Sequence, residues 1–364
     1  MMAPTFLFAG GGSGGHISPA LAIWERLVEL EPTASAIFVC STRRIDTTML
    51  TEADVDYRPI PAAPLSMRPR GLVRFTRGWI RARSAAGAIL RRERIDRVVA
   101  MGGFVAGPVV SAAVKQGVPV TLLNLDDPPG KANRWIARRC DHVFSAIEVT
   151  AMPGFAERVV GMPIRRAALA PGEAPMCREQ LGLDPGVPTL LVTGASQGAR
   201  SINTLVTELA AAEPGLLPGW QVLHLAGSGE DGLVRAAWRA VGVRAVVRPF
   251  LHGMGPAWGA ADLAVSRAGA SSVAEAWANA VPTLFVPYPH HRDRHQHRNA
   301  EPMAAAGGAV VQTDAGDPAF SGAGPGETLR NLIRDEPRRQ SMRAALRARP
   351  APDAAGLIAQ MLLE

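Results

Sequence analysis

A chain of 364 residues, 47% hydrophobic and 20% charged, is about twice the usual single-domain length, so two domains are expected. Its net charge of +7 arises from 39 basic residues, nearly all arginine, and points to an anionic partner: nucleic acid, a lipid surface or a phosphorylated substrate. Three scattered cysteines without CxxC spacing argue against a disulfide framework or a zinc site, and no stretch nears the ~20 apolar residues of a membrane span, so a soluble or surface-bound protein of a reducing cytoplasm is expected.

The first apolar run, Thr5–Ala9, reads as a strand and leads into Gly10-Gly11-Gly12-Ser13-Gly14-Gly15-His16. Ser18 is expected to cap the following helix with Pro19 as its first residue. Glycines between a strand and a helix expose backbone amides beside the positive end of the helix dipole, which suits a phosphate or diphosphate. Gly10, Gly12 and Gly15 also satisfy GxGxxG, but residues 40–44, Cys-Ser-Thr-Arg-Arg, lack the acidic residue of a nicotinamide site. A bare strand-turn-helix joint is the plain alternative.

Further apolar runs at residues 37–40, 98–101 and 120–123 alternate with helical patterns, as in βα units on a parallel sheet. Between them, residues 66–83 interleave six arginines with Leu72, Val73, Phe75, Trp79 and Ile80, either an anionic-membrane patch or a solvated helix over its own core. A second glycine joint, residues 101–108, follows the run at 98–101. After residues 166–185, whose Ala, Pro and Gly content reads as a linker, a second series begins with Thr189–Thr193 and continues at residues 222–226, 245–247, 263–266 and 283–286. A third glycine joint occupies residues 193–200. Two doubly wound α/β domains facing each other across a cleft are expected: residues 1–165, residues 166–340, and a helical segment 341–364 packing back on the first domain.

GGSGGHISP, MGGFVAGP, GASQGARSIN and the block ADLAVSRAGASSVAEAWANAVPTLFVPYPHHRDRHQHRNA at residues 261–300 together resemble the MurG family of peptidoglycan N-acetylglucosaminyltransferases over almost the whole chain. The resemblance implies a GT-B fold of two Rossmann-like domains, UDP-N-acetylglucosamine (UDP-GlcNAc) as donor, and lipid I, an undecaprenyl-diphosphate-linked muramoyl pentapeptide, as acceptor, giving lipid II. It implies no metal or other cofactor, and a peripheral location on the cytoplasmic face of the cell membrane. On the donor side it points to Arg165, Ser196, Gln197, the backbone of Leu251, Arg267, the helix start at Ala270 and Ser271, and Glu275, whose carboxylate can accept from both ribose hydroxyls. His295 and Gln296 stand where the family has two adjacent glutamines for the sugar hydroxyls, which leaves open a different nucleotide sugar. Metal binding by the histidines of residues 290–297 is disfavoured, since no helical pair with a third ligand is evident.

On the acceptor side the resemblance assigns Gly12, Ser13, Gly14, Gly15, Gly102 and Gly103 to the lipid diphosphate, and Leu72, Phe75, Trp79 and Ile80 to the membrane patch. His16 is the candidate general base, or else a residue that holds its loop. Leu123-Asn124-Leu125-Asp126-Asp127-Pro128-Pro129 departs from the family pattern, and Asp126 or Asp127, carboxylates at the carboxyl end of a strand, is a second candidate base. A transferase with another donor or acceptor, and a silent nucleotide-sugar-binding protein, are the alternatives; nucleic-acid binding lacks a reading module.

Overall fold

The computed structural model describes residues 3–12, 14–66, 68–194, 199–289, 294–314 and 324–364. Internal contacts group the chain into two compact units, residues 1–165 with 352–364, and residues 166–351.

Unit 1 is built on β1 (Thr5–Ala9), β2 (Ser35–Ser41), β3 (Tyr57–Ile60), β4 (Arg97–Ala100), β5 (Val120–Asn124), β6 (His142–Ser145) and β7 (Arg158–Val159). All pair in parallel, in the order β3-β2-β1-β4-β5-β6-β7. Helices α1 (Gly14–Leu30), α2 (Arg44–Glu52), α3 (Pro69–Arg92), α4 (Gly103–Gln116) and α5 (Lys131–Ala137) connect them. The central strands are buried on both faces, which is why they read as unbroken apolar runs rather than alternating ones. Side chains of alternate parity feed two cores, one around Leu7, Val98 and Val109 and one around Phe6, Phe8 and Phe38.

Unit 2 repeats the plan with β8 (Thr189–Thr193), β9 (Gln221–Leu225), β10 (Ala245–Arg248), β11 (Leu263–Ser266), β12 (Thr283–Phe285) and β13 (Ala309–Val311), in the parallel order β10-β9-β8-β11-β12-β13. Its helices are α6 (Ala174–Leu181), α7 (Arg200–Ala212), α8 (Asp231–Ala240), α9 (Gly255–Ala260), α10 (Ala270–Ala278), α11 (His295–Ala305), α12 (Pro325–Arg334) and α13 (Glu336–Ala348). The last helix, α14 (Ala354–Leu363), returns to unit 1, packs on α1 and buries Ile358, Ala359 and Leu362 in its core. In both sheets the strand order reverses beside the first strand, between β1 and β4 and between β8 and β11. Ligands of such sheets bind outside the carboxyl ends of the strands at that reversal.

Three local expectations are corrected. Helix α1 begins at Gly14, so Ser18 is no cap and Pro19 lies inside the helix. As the sixth residue it lacks the amide that would donate to the Gly15 carbonyl, so the helix gives up one backbone hydrogen bond there. The supposed linker at residues 166–185 contains α6, with Pro175 in its first turn and Gly182 left-handed at its end (φ 80°); the Pro and Gly are helix punctuation, and Cys177 and Leu181 are buried. Residues 341–351, expected with the terminal segment, lie in unit 2, because α13 runs unbroken across residue 340.

Unit 2 also buries His224 on β9. Its Nδ1 accepts from the Trp238 indole N–H at 3.0 Å and its Nε2–H donates to Asn203 Oδ1 at 2.9 Å. Burial pushes the imidazole down to about 3. The unfolded chain takes up this proton below pH 6.5 and the folded chain does not, so the associated stability is full above 6.5 and falls on acidification. Urea unfolding at pH 7 and pH 5 should show about 2 kcal/mol lost to this residue, a difference absent in His224→Leu, which is less stable throughout.

Candidate active site

In unit 1 both turns at the strand-order reversal are glycine turns, Gly10–Gly12 after β1 and Gly102–Gly103 after β4, and each leads into a long helix. Gly14 and Gly15 belong to the first turn of α1, where the amides have no intrahelical acceptor, and Gly103 is the first residue of α4. Two helix N-termini thus carry their partial positive charge at adjacent strand ends. Gly103 has φ 75°, and a Cβ there would sit 3.0 Å from the Gly11 carbonyl oxygen and 3.4 Å from His16 Cε1, so only glycine lets the two turns touch. Ser13 lies outside the described residues.

Gly12, expected among the diphosphate ligands, is otherwise employed. Its amide donates to Asp46 Oδ2 at 2.7 Å, and its carbonyl accepts from Arg43 Nη1 at 2.6 Å. Asp46 is fully buried at the start of α2 and also accepts from the Ser41 amide and hydroxyl. It is the organiser of the first glycine turn, and Asp at residue 46 in an ordinary helical stretch gives no sequence signal of that. Arg43 stacks over the Phe104 ring at 5.3 Å, and Phe104 in turn covers Gly12.

His16 sits in the first turn of α1. Burial lowers its imidazole from 6.5, against the opposing pull of the Asp126 and Asp46 carboxylates. The ring is therefore neutral at pH 7, the form a general base requires, with Asp126 near enough to stabilise the imidazolium once a proton is taken. Asp126 is exposed, and the loop that carries it is pinned by Asn124 Nδ2, which donates to the Asp126 carbonyl at 2.8 Å and to Ser145 Oγ at 3.1 Å. Asn133 donates to Asn124 Oδ1 at 2.9 Å, tying α5 to the same loop. The neighbouring Asp127 is buried and accepts from Thr150 Oγ1 at 2.6 Å, so it holds structure while Asp126 faces solvent.

In unit 2 the turn after β11 leads into α10, capped by Gly269, so the amides of Ala270 and Ser271 are unbonded first-turn donors. Glu275 follows one turn later. Its Oε2 accepts from the Trp258 indole N–H at 2.9 Å, and burial nonetheless pushes the carboxyl up to about 7. A carboxylate with so little compensation is ready to accept further donors such as vicinal hydroxyls. Leu251 packs its side chain on the unit 2 core. Gln296, in the first turn of α11, accepts from the Tyr288 amide at 2.8 Å through Oε1, which leaves its NH2 to act as donor; His295 precedes it as the first residue of the helix.

Two expected donor ligands are engaged internally. Arg267 is buried and paired with Asp314 at 2.7 Å, and it also donates to the Val286 and Pro287 carbonyls and to Ser201 Oγ. It fixes the β11–α10 turn against β12 and α7. Arg165 groups with unit 1 and pairs with Glu25 at 2.9 Å. Ser196 and Gln197 lie outside the described residues, as do His290 and His291. Among the described residues no group of three His, Cys, Asp or Glu side chains could hold a metal ion, and no helix is long and apolar enough to cross a membrane. The cysteines are free, and burial pushes the Cys40 and Cys140 thiols up to about 12 and 11, which keeps them protonated and unreactive.

On α3 the four patch residues divide. Leu72 and Ile80 are exposed, 48% and 68%, among arginines that are themselves exposed. Phe75 and Trp79 are half-buried, with ring centroids 5.8 Å apart, and Trp79 meets Trp135 edge-on at 5.4 Å.

Two Rossmann-like parallel sheets in one chain, each with a glycine turn and helix N-terminus at its strand-order reversal, define the GT-B class of sugar-nucleotide enzymes. Residues 6–145 match the glycosyltransferase family 28 N-terminal domain and residues 189–356 its C-terminal domain, and the chain belongs to that family. It is 37% identical to a UDP-N-acetylglucosamine--N-acetylmuramyl-(pentapeptide) pyrophosphoryl-undecaprenol N-acetylglucosamine transferase of Nocardioides sp., over 98% of this chain and 97% of the relative. An enzyme of the same name from Symbiobacterium thermophilum is 33% identical, covering 98% and 95%. The fold matches the crystal structure of Acinetobacter baumannii MurG with a TM-score of 0.74 at 23% identity, covering 100% and 99%. It also matches a Neisseria meningitidis UDP-GlcNAc 2-epimerase bound to UDP-GlcNAc, with a TM-score of 0.65 at 14% identity and full coverage of both chains.

Proposed function

We propose that this chain transfers N-acetylglucosamine from UDP-GlcNAc to the muramoyl 4-hydroxyl of lipid I, with inversion, giving lipid II and UDP. The observation that carries the reading is the anion-binding helix start followed one turn later by a ribose-ready carboxyl, Glu275, in unit 2; unit 1 separately carries a neutral histidine in the first turn of α1. The relatives' names supply the substrates.

In this mechanism the first-turn amides of α10 hold the UDP diphosphate and stabilise the charge that grows on it, an effect worth roughly 3 kcal/mol per well-placed donor. Glu275 holds the ribose, the Leu251 backbone reads the uracil edge, and His295 and Gln296 bind the sugar. The acceptor diphosphate lies on the starts of α1 and α4, at Gly14, Gly15, Gly102 and Gly103. The acceptor oxygen attacks C1 from the face opposite UDP, the C1–O bond breaks with its electron pair leaving on UDP, and His16 takes the hydroxyl proton. Asp126 stabilises the resulting imidazolium. Helix dipoles supply the compensating charge, so transfer should persist in EDTA. The arginines of α3, with Leu72 and Ile80, favour work at the cytoplasmic face of an anionic membrane. A nucleic-acid partner has no support beyond net charge.

His295 in place of an amide favours one second reading, a different nucleotide sugar, because a neutral imidazole offers one donor and one acceptor on separate ring edges, whereas a carboxamide presents two donors and an acceptor side by side. A panel of UDP-GlcNAc, UDP-GalNAc and UDP-glucose with a lipid I analogue separates the two. UDP-GlcNAc should be consumed at least tenfold faster than the others; faster turnover of another donor would assign the second reading.

A further inference from the structure

Between α3, α4 and α5 lies a pocket of about 490 Å3 whose walls are almost wholly apolar, formed by Phe75, Trp79, Ile80, Phe104 and Trp135. That volume falls within the ~300–1,000 Å3 of ligand sites rather than the flat profile of a membrane-plane patch. It is built rather than incidental: Gly107 of α4 lets Trp79 lie against the helix backbone, since a Cβ there would come within 2.8 Å of the indole. The floor of the pocket is also the back of the candidate acceptor site. Gly103 lines the pocket while abutting Gly11 and His16, and Phe104 lines it while covering Gly12. Lys131, exposed at the start of α5, is the one charged residue lining it among the described residues.

An anion on the start of α4 therefore has an aromatic-walled pocket directly behind it and a cation beside that pocket. The ligand that combines these features is a diphosphate esterified to an apolar chain. We propose that this pocket receives the isoprene units adjoining the diphosphate of the acceptor, so that the protein itself, and not only the bilayer, reads the lipid. The inference rests on the acceptor reading above. It makes Phe75 and Trp79 substrate-binding residues, places the largely exposed Ile80 at the pocket rim, and leaves Leu72, which does not line the pocket, to face the membrane surface.

The test uses water-soluble acceptors without vesicles or detergent, so that no bilayer contributes. Muramoyl-pentapeptide diphosphates esterified with methyl, five-carbon prenyl or ten-carbon geranyl groups are compared. A fully buried methylene strengthens binding about fourfold, so KM should fall at least tenfold from the methyl to the geranyl ester, even with partial burial. Ala132→Phe, which fills the pocket from α5, should erase that preference while leaving the KM for UDP-GlcNAc unchanged. Should the variant fail to fold, the wild-type series decides alone. Transfer with a KM independent of the ester, or a chain preference that appears only with vesicles, would overturn the proposal and assign these side chains to the bilayer. Absence of transfer to every acceptor would overturn the acceptor reading, and the proposal with it.

Discussion

His16→Gln is expected to lower kcat by about 10²- to 10⁴-fold, the usual worth of a positioned general base. Glutamine can keep a hydrogen bond that holds the turn but cannot take a proton at neutral pH, so the variant separates the two roles open to His16. A residue that merely holds its loop would lose little. The pH profile gives a second readout. Burial lowers the folded imidazole below 6.5, so the base is neutral down to that lowered value and the acid limb of kcat/KM should have its midpoint below 6.5. Asp126→Asn removes a carboxylate that opposes this lowering, and should move the limb to still lower pH. If Asp126→Asn cost more activity than His16→Gln, the carboxylate would be the base.

Glu275→Gln is expected to move stability and function in opposite directions. In the free protein the carboxyl is pushed up to about 7, above its ordinary 4.5, so the native state holds a proton that the unfolded chain has released between those values. Stability from this group is therefore present below pH 4.5 and lost as pH rises towards 7. The neutral amide escapes that cost and can still accept from Trp258. The variant should be more stable than the wild type at pH 8 by about 1 to 3 kcal/mol, the lower end allowing for solvent at a half-buried carboxyl, and equal to it near pH 4. Hydrogen bonds from ribose hydroxyls to a charged acceptor are worth about 1.5–3 kcal/mol, so donor binding should weaken roughly 10- to 100-fold. UDP-GlcNAc carries no phosphate proton that titrates near neutrality, so its wild-type affinity should rise about tenfold from pH 6 to pH 8, and the variant should lack that rise. Calorimetric titration at both pH values checks it. A surface glutamate with no ligand would change neither quantity.

The central strands were legible because a strand buried on both faces leaves a run of Val, Leu and Phe, and the runs at β1, β5, β8 and β11 coincide with the strands within a residue. The edges were not. β3 carries Pro59 and an exposed Arg58, and β7 is two exposed residues, compositions that an edge tolerates and that read as loop. The start of α1 was misplaced because Ser18-Pro19 imitates a helix start, whereas the first helical residue is Gly14 and not Pro19. Glycine turns and a lone glutamate in a helix are visible in sequence because their chemistry is local. Asp46, Asn124 and Asn133 act through tertiary hydrogen bonds that no spacing announces, and Arg267, which looks like an exposed anion ligand, is buried against Asp314 across 47 residues. The α3 patch reads as one apolar face, yet Phe75 and Trp79 turn inward only because Gly107 and Trp135 await them on other helices.

In the proposed transfer the acceptor oxygen displaces UDP in one step, and the product's anomeric proton reports on it. Mixing the chain with UDP-GlcNAc and a lipid I analogue in EDTA should give UDP and a disaccharide in equal amounts, with a large trans-diaxial H1–H2 coupling in the NMR spectrum marking the β anomer. An α-linked product, free N-acetylglucosamine in place of disaccharide, epimerisation of the donor without acceptor, or loss of transfer on chelation would contradict it.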